Sequence, residues 1–383
     1  MMVKPPLIDR LYRNAVASHK AGDLNAAAQG YSAALDLDPN HLPALNNLAA
    51  TRVALGDPDT AVALYRDAIA RHPNAAEPHG NLGNLLRNIN DLEGAAEHYG
   101  ACLERAPRVA EVRYALGVVL QALDRTDAAA THLRRAARDL GPDPRPWTAL
   151  AALALKRNQT EDAAAYIAKA LAVAPENADA LNVAGLISHA RADFASARAT
   201  FDRVLAADPN HAEGHYNRGT LRLLLGDLPA GWADFEWRWR NRPPLPGAPA
   251  HLPQWRGEDL REQTLLLLGE QGFGDTIQFI RFAPVLQAKG ARVIVHCRSP
   301  LHRLIAEAPG VDGVGDPGDT VNAQVWTPLM SLPFLLGTSE ADIPANEGYL
   351  RPPRRTARAQ GLRRVGLVWA GSPTHGNDAA RSM

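Results

Sequence analysis

The chain has 383 residues, 46% of them hydrophobic and 21% charged, which is too long for one compact core and predicts two or more domains. Lys and Arg together number 41, as do Asp and Glu, so the formal net charge is zero and we expect no nucleic-acid partner and no anionic membrane partner. No apolar run approaches the roughly 20 residues that cross a bilayer. The first residues also lack the apolar region of a signal peptide, so the sequence predicts a cytoplasmic protein.

A repeat of 34 residues runs from near residue 8 to about residue 243. One series of small residues comprises Ala15, Ala49, Gly83, Gly117, Ala151, Gly185 and Gly219, and a large apolar series comprises Tyr31, Tyr65, Tyr99, Leu133, Ile167, Phe201 and Phe235. This spacing is typical of the tetratricopeptide repeat, a unit of two antiparallel helices. We therefore expect an α-solenoid of seven repeats over residues 1–243, with a groove lined by the first helix of each repeat.

The turn between the two helices of each repeat is predicted from residues that tolerate the left-handed backbone region. The predicted turns are Gly22-Asp23, Gly56-Asp57, Asn90-Asp91, Asp124-Arg125, Asn158-Gln159, Ala192-Asp193 and Gly226-Asp227. An aspartate in the second place can cap the helix that follows.

Three asparagines, Asn47, Asn81 and Asn217, occupy the same repeat position on the first helix. They resemble the asparagine ladder of the repeat domain in O-GlcNAc transferases, and an amide can both donate to and accept from a peptide backbone. The other four repeats carry Arg13, Ala115, Ala149 and Val183 at that position. The asparagines are therefore interpreted either as a peptide-binding ladder or as solvated polar residues.

After a linker over 244–263, the pattern changes to that of an α/β domain. The apolar run TLLLLGE predicts a buried strand, GFGD a turn, TIQFIRFAPVLQAKG a helix and ARVIVHC a second strand. A later strand is predicted at RRVGLVWAG. The expected architecture is an α-solenoid followed by a Rossmann-like α/β domain.

The turn Gly272-Phe273-Gly274-Asp275 has three competing interpretations. A dinucleotide-binding fingerprint requires a third glycine where Ile277 stands, and a P-loop requires a GxxxxGK[ST] sequence that the chain lacks. The third interpretation is a family resemblance. The strings GEQGFGDTIQFIRFAPVL, MSLPFLLGT and RRVGLVWAGSPTHGND resemble the bacterial repeat-containing glycosyltransferases, whose catalytic part is related to the heptosyltransferases.

This resemblance implies a GT-B fold, of which residues 264–363 would be the first half, and a nucleotide sugar as donor substrate without a metal or other cofactor. It also implies that Asp275 is the base that deprotonates the acceptor hydroxyl, with Gly272 and Gly274 shaping the loop. Glu270 is a weaker candidate. An ordinary helix cap is the alternative role for Asp275.

The resemblance further places Gly371 and Ser372 in the loop that opens the donor-binding half, against the alternative of a plain turn. That half would begin near residue 364, and about 20 residues of the roughly 120–150 that such a half requires are present. We expect weak or absent transferase activity from a chain truncated in this way.

The primary functional hypothesis is thus a repeat region that binds a protein or peptide, joined to part of a glycosyltransferase that transfers sugar to a protein or glycan acceptor. The alternative is a non-enzymatic repeat scaffold for protein–protein interaction.

Overall fold

The computed structural model describes residues 5–240, 245–344 and 348–350. The chain divides into two compact units, Met1–Asn241 and Arg242–Met383. The described residues contain no helix that combines the length and the apolar character required to cross a membrane.

The first unit consists of seven consecutive helix pairs, one for each predicted repeat. In repeats 1 to 4 the pairs are α1 (Pro5–Lys20) and α2 (Leu24–Leu37), α3 (Leu42–Ala54) and α4 (Pro58–Arg71), α5 (Glu77–Asn88) and α6 (Leu92–Arg105), and α7 (Ala110–Ala122) and α8 (Thr126–Asp139). In repeats 5 to 7 they are α9 (Pro144–Lys156) and α10 (Thr160–Val173), α11 (Ala178–Ala190) and α12 (Phe194–Ala207), and α13 (Ala212–Leu224) and α14 (Leu228–Phe235). We call the first helix of a repeat its A helix and the second its B helix.

The predicted turns lie where the sequence placed them. The first residue of each has a positive φ, namely Gly22, Gly56, Asn90, Asp124, Asn158, Ala192 and Gly226. The following aspartate caps the B helix through its side chain in four repeats, at Asp23, Asp57, Asp91 and Asp193. The helix boundaries therefore follow from local chemistry that the sequence displays.

Small residues of the A helix pack against large residues of the B helix in the same repeat. A Cβ atom added at Gly83 would lie 2.7 Å from the ring of Tyr99, and one added at Gly185 would lie 2.5 Å from the ring of Phe201. Tyr99 and Phe201 are fully buried. The two series recognised in the sequence are thus the two sides of one close helix contact.

Successive repeats stack so that each A helix from α3 to α13 contacts the next A helix, and each B helix contacts the following A helix. The core is accordingly a row of apolar clusters along the array rather than one centre. This architecture confirms the predicted helical solenoid over roughly the first 230 residues.

The second unit contains a parallel sheet of four strands, β1 (Thr264–Leu268), β2 (Arg292–His296), β3 (Gly313–Gly315) and β4 (Val325–Pro328). Their order is β3-β2-β1-β4, and Leu266 pairs with Ile294 on one side and with Trp326 on the other. The helices are α15 (Phe273–Phe279), α16 (Ala283–Ala288), α17 (His302–Ile305) and α18 (Leu332–Leu335).

Two sequence predictions in this unit need comment. The single helix expected after the glycine turn is divided by a 3₁₀ turn over Ile280–Phe282, directly before Pro284 in α16. The parallel β1–β2 pairing with a helical connection agrees with the predicted βαβ unit, and the small sheet is consistent with a Rossmann-like domain. The strand predicted at RRVGLVWAG lies outside the described residues.

Candidate functional site

The A helices carry opposite charges at their two ends. Acidic residues occupy the first turn of α5, α7, α11 and α13, at Glu77, Glu111, Asp179 and Glu213. Basic residues occupy the last turn of α1, α3, α5, α9, α11 and α13, and include Lys20, Arg87 and Lys156. This arrangement complements the helix dipole.

Contacts between neighbouring repeats show that like ends of the A helices lie side by side. In the first turns, Arg145 of α9 lies 2.7 Å from Glu111 of α7. At the opposite end, Lys156 of α9 lies 2.8 Å from Asp124, just after α7. The surface formed by the A helices therefore has an acidic edge, made by the first turns, and a basic edge, made by the last turns.

A cavity of about 480 Å³ opens between these edges at repeats 4 and 5. Apolar atoms of Tyr114, Val118, Ala122, Ala149 and Ala152 line it, together with the polar residues Gln121, Arg145, Thr148, Lys156, Asn177 and Asp179. We call it the A-helix pocket. All its lining residues come from α7, from α9 and from the start of α11, so stacking of three consecutive repeats creates it.

The three candidate ladder asparagines lie half-buried on the A helices, and two of them bond to the preceding repeat. Asn47 donates to the hydroxyl of Tyr12 at 2.9 Å, and Asn217 donates to the Oδ1 atom of Asn182 at 2.9 Å. Asn81 has no side-chain hydrogen bond to any residue that the structure describes. Peptide capture by these residues stays a prediction. Ala149, at the same repeat position, lines the A-helix pocket.

Two carboxylates of the acidic edge, Glu111 and Asp179, pair with the basic side chains of Arg145 and His211. Hydrogen bonds from Arg145 to Asp143 and Glu111 raise the pKa of the guanidinium. The hydrogen bond to Asp179 raises the pKa of the imidazole of His211, and the same bond lowers the pKa of Asp179.

The basic edge is partly paired as well, because Arg52 and Arg222 form ion pairs with Asp57 and Asp227. Arg87 has no ion-pair partner within the part of the chain that the structure describes, and the partner of Lys156 is an Asp124 carboxylate that is 76% exposed. Burial raises the pKa of the Tyr114 hydroxyl; the charge of Arg145 opposes that rise, and the charges of Asp143 and Asp179 add to it. Of the two cations Arg87 and Lys156, Lys156 lines the A-helix pocket.

In the second unit, the carboxylates predicted from the family resemblance bond to the backbone. Asp275 accepts a hydrogen bond from the Gly272 N–H at 2.7 Å, which caps α15. Glu270 accepts one from the Met330 N–H at 2.9 Å and so connects the segment after β1 to the segment after β4. A catalytic role for either residue stays a prediction.

Neither Gly272 nor Gly274 has a positive φ, so the backbone conformation does not require glycine there. A Cβ atom at Gly274 would meet nothing within 4 Å. A small cavity of about 130 Å³ lies beside this loop, lined by Glu270, Gly272, Arg298 and other residues. Gly371 and Ser372 lie outside the described residues.

Sequence reasoning missed the A-helix pocket and a buried ionic cluster in the last repeat. Alanine at the ladder position of repeat 5, Ala149, was a signal for the pocket, because it puts a small apolar side chain where repeats 2, 3 and 7 have asparagine. For the cluster, the signal was an acidic residue at a position that is acidic in no other repeat, since Asp234 stands where repeats 2 and 3 have Leu64 and His98.

Comparisons with known proteins agree with the helical architecture. Two families, both described as tetratricopeptide repeat, match residues 18–85 and 89–153 in one case and residues 148–212 and 190–236 in the other. Protein FlbA of Caulobacter vibrioides is 28% identical over a segment that covers 35% of this chain and 29% of FlbA. The chain therefore aligns with under a third of the length of that relative.

Among solved structures, a tetratricopeptide repeat protein from Parabacteroides merdae is 18% identical and has a TM-score of 0.54. The match covers 62% of this chain and 94% of the Parabacteroides chain. PilF of Pseudomonas aeruginosa has 20% identity and a TM-score of 0.47, covering 54% and 94%. The family matches together span more than half of this chain. Through its residues 18–236 the chain belongs to the tetratricopeptide-repeat family.

Proposed function

We propose that this chain is a protein–protein interaction scaffold that binds segments of other proteins on its A-helix surface. The observation that carries the proposal is the A-helix pocket, an open and partly apolar cavity in the middle of the array. Repeat stacking does not fill it, although the contacts of the same helices with their neighbours are tightly packed. Concave, largely apolar sites with a few polar groups are the usual form of a binding site.

The test is a selection of random peptides on the full chain, followed by affinity measurement against a blocked variant. Ala152→Arg would place a long charged side chain in the pocket, whereas Ala165→Arg adds the same side chain at an exposed alanine of the B helix α10. We expect the selected peptides to bind the wild-type chain and the control but not the blocked variant. Equal binding to all three would refute this function.

A second candidate is the glycosyltransferase activity implied by the family resemblance. Its support is the position of the glycine-rich loop, which follows β1. In the sheet, β2 and β3 lie on one side of β1 and β4 lies on the other, so the strand order reverses at β1. Open α/β sheets bind ligands at such a reversal of strand order. The exposed Phe273 and the small cavity lie at that edge. Asp275 would then be the base and a nucleotide sugar the donor.

Thermal unfolding of the chain with nucleotide sugars and free nucleotides tests this candidate, because a ligand that binds only the folded state raises the melting temperature. Asp275→Asn keeps an oxygen that can accept from the Gly272 N–H and removes the carboxylate charge. If the wild-type chain shows any transfer, the variant should abolish it without lowering the melting temperature. If no nucleotide raises the melting temperature of the wild-type chain, a donor site in this polypeptide is excluded.

A further inference from the structure

We propose that residues 245–252, which we call the strap, close the small cavity beside the glycine-rich loop and move away from it to admit a ligand. The strap belongs to the second unit. The proposal rests on the second candidate function in one respect, namely that this cavity is a ligand site. Beyond that function, it assigns the control of access to one segment of the chain.

The strap forms part of the cavity wall. Leu245 and Pro246 line the cavity together with Phe273 and Thr276 of α15. The cavity holds about 130 Å³, whereas a pocket that binds a small molecule holds about 300 Å³ or more. A nucleotide sugar therefore does not fit while the strap is in place, and part of the wall has to move before such a ligand enters.

The strap also covers one face of the sheet. Leu266 of β1, Ile294 of β2 and Trp326 of β4 belong to one apolar cluster. The strap side chains packed against this cluster are Leu245, Ala248 and Leu252. The connection from β3 to β4, at 316–324, lies wholly within the described residues and forms no helix. A segment without regular structure thus covers apolar surface that helices cover in doubly wound sheets.

The strap is held more firmly at its end than at its beginning. The indole Nε1 atom of Trp326 donates to the carbonyl oxygen of Leu252 at 3.2 Å, and the backbone of Trp326 also bonds to that of 253–255. At the beginning, the Ala248 N–H donates to the Leu245 carbonyl oxygen, which lies within the strap itself. The first half, which lines the cavity, can therefore move while the second half stays attached to β4.

Gly247 lets the first half of the strap approach the loop after β3. Its φ is +80°, and a Cβ atom added there would lie 2.7 Å from the amide nitrogen of Gly318 and 2.9 Å from the carbonyl carbon of Pro317. Pro317 itself lines the cavity. A larger residue at position 247 must therefore push the strap away from the cavity wall.

The covered face contains a buried polar atom without a partner. His296, at the end of β2, pairs in register with Leu268 of the apolar cluster, so both side chains lie on the face that the strap covers. The histidine is 3% exposed, and its Nδ1 atom has no hydrogen-bond partner among the described residues. Such an atom costs free energy when it is shut off from water. Water that reaches it after the strap moves would offset part of the lost apolar contact.

The reporter for this movement is a cysteine placed in the cavity of the full chain by Thr276→Cys. Thr276 lines the cavity and is 5% exposed, so a bulky reagent such as fluorescein maleimide should react there after the strap has moved. The natural Cys102 and Cys297 are buried, and neither is among the lining residues. Mass spectrometry of peptides measures the labelling of each site. Cys297 thus reports unfolding of the second unit.

We expect Gly247→Ala, in the reporter chain, to raise the labelling rate at position 276 by about tenfold or more, because alanine with a positive φ is strained and its Cβ atom meets the loop after β3. Leu252→Ala should raise the rate too, because it removes apolar contact with the sheet. Gly257→Ala is the matched control. It introduces the same backbone strain at a φ of +108°, with its nearest Cβ contact at 3.7 Å, and should leave the rate unchanged. Cys297 should stay protected in all three.

Equal labelling of position 276 in the reporter chain and in Gly247→Ala would overturn the proposal. If Gly247→Ala exposes Cys297 as well, Leu252→Ala decides, and joint labelling of both sites there would overturn it too. Thermal unfolding with UDP-glucose, GDP-mannose and ADP-glucose tests the ligand separately. Faster labelling without a rise in melting temperature would refute the second candidate function while the movement of the strap stands. An equal rise in the wild-type chain and in Gly247→Ala would show that the strap does not control access.

Discussion

The carboxylate of Asp234 organises the last repeat through an ionic cluster. Its side chain is 7% exposed and lies within 2.8 Å of His215, 2.7 Å of Arg218 and 2.7 Å of Arg222. Burial raises the pKa of Asp234, but the hydrogen bonds from Arg218 and His215 outweigh burial and hold the pKa below its ordinary value. The ring of His215 in turn stacks on Trp237 at 3.8 Å. One buried anion thus positions both helices of repeat 7.

We expect Asp234→Ala to lower the free energy of unfolding by about 3–5 kcal/mol, because it removes the buried anion of two poorly solvated guanidinium groups and leaves them only the more exposed Asp202 and Asp227. The matched control is Asp202→Ala, which removes the other partner of Arg218 at a side chain that is 48% exposed. That change should reduce stability by under about 1 kcal/mol. Urea denaturation of both variants at neutral pH decides the matter. Equal losses would show that burial of Asp234 gives it no special role.

A histidine pair in repeat 3, formed by buried His79 and half-buried His98, should make stability depend on pH. The Nδ1 atoms of His79 and His98 are 3.0 Å apart, and burial lowers the pKa of both rings from 6.5. The charges of Arg105 and of His98 lower the pKa of His79 further, and Glu104 and Glu97 oppose them. Below about pH 6.5 these two histidines therefore bind more protons in the unfolded chain than in the folded chain. The free energy of unfolding consequently falls as the pH falls.

Repeat 2 suggests the variant that tests this pair, since Leu45 and Leu64 occupy the equivalent positions. The variant His79→Leu/His98→Leu should lose less stability than the wild-type chain between pH 7.5 and pH 5.5, as measured by denaturant titrations across that range. His251→Gln, at an exposed histidine of the second unit, should retain the wild-type dependence. An unchanged pH dependence in the double variant would mean that other groups cause it.

At the scale of the helix, the contact between the two helices of a repeat explains the small-residue series. Gly185→Ala brings a methyl group into the fully buried ring of Phe201, and we expect it to lower the free energy of unfolding by about 1–3 kcal/mol.

Gly100 lies in a helix with nothing within 4 Å of an added Cβ atom. Gly100→Ala should therefore raise stability by about 0.5–1 kcal/mol. Thermal and chemical denaturation of both variants test the sign, and a stabilising Gly185→Ala would contradict the packing argument.

The sequence predicted these helices well because their limits depend on local chemistry. Each αL residue from Gly22 to Gly226 and each aspartate cap can be recognised within a few positions. The A-helix pocket could not be recognised in that way, because Tyr114, Lys156 and Asp179 come from three repeats and meet only after stacking. Asp275 illustrates a different limit: the same residue pattern suits a helix cap and a catalytic base, and the capping bond does not exclude the second role.

At the scale of the whole first unit, the contacts are local, and the effects of a substitution should therefore be local too. In the first unit, the main contacts of each helix are with helices of its own repeat and of the adjacent repeats. The apolar cluster near α1 and α2 shares no buried residue with the cluster near α12 and α13. The stability of such an array is a sum over repeats and their interfaces. A disturbance in one repeat should therefore spread to its neighbours and fade beyond them.

Hydrogen exchange of Gly185→Ala, followed by mass spectrometry, tests this expectation on the intact chain. The substitution lies in α11, and we expect faster amide exchange in repeats 5, 6 and 7, because these share interfaces with it. Repeats 1 and 2 should exchange at the wild-type rate. Gly100→Ala serves as the control and should accelerate exchange nowhere. Uniformly faster exchange from α1 to α14 would instead mean that the seven repeats open as one cooperative unit, and binding at the A-helix pocket would then stabilise the whole array rather than its central repeats.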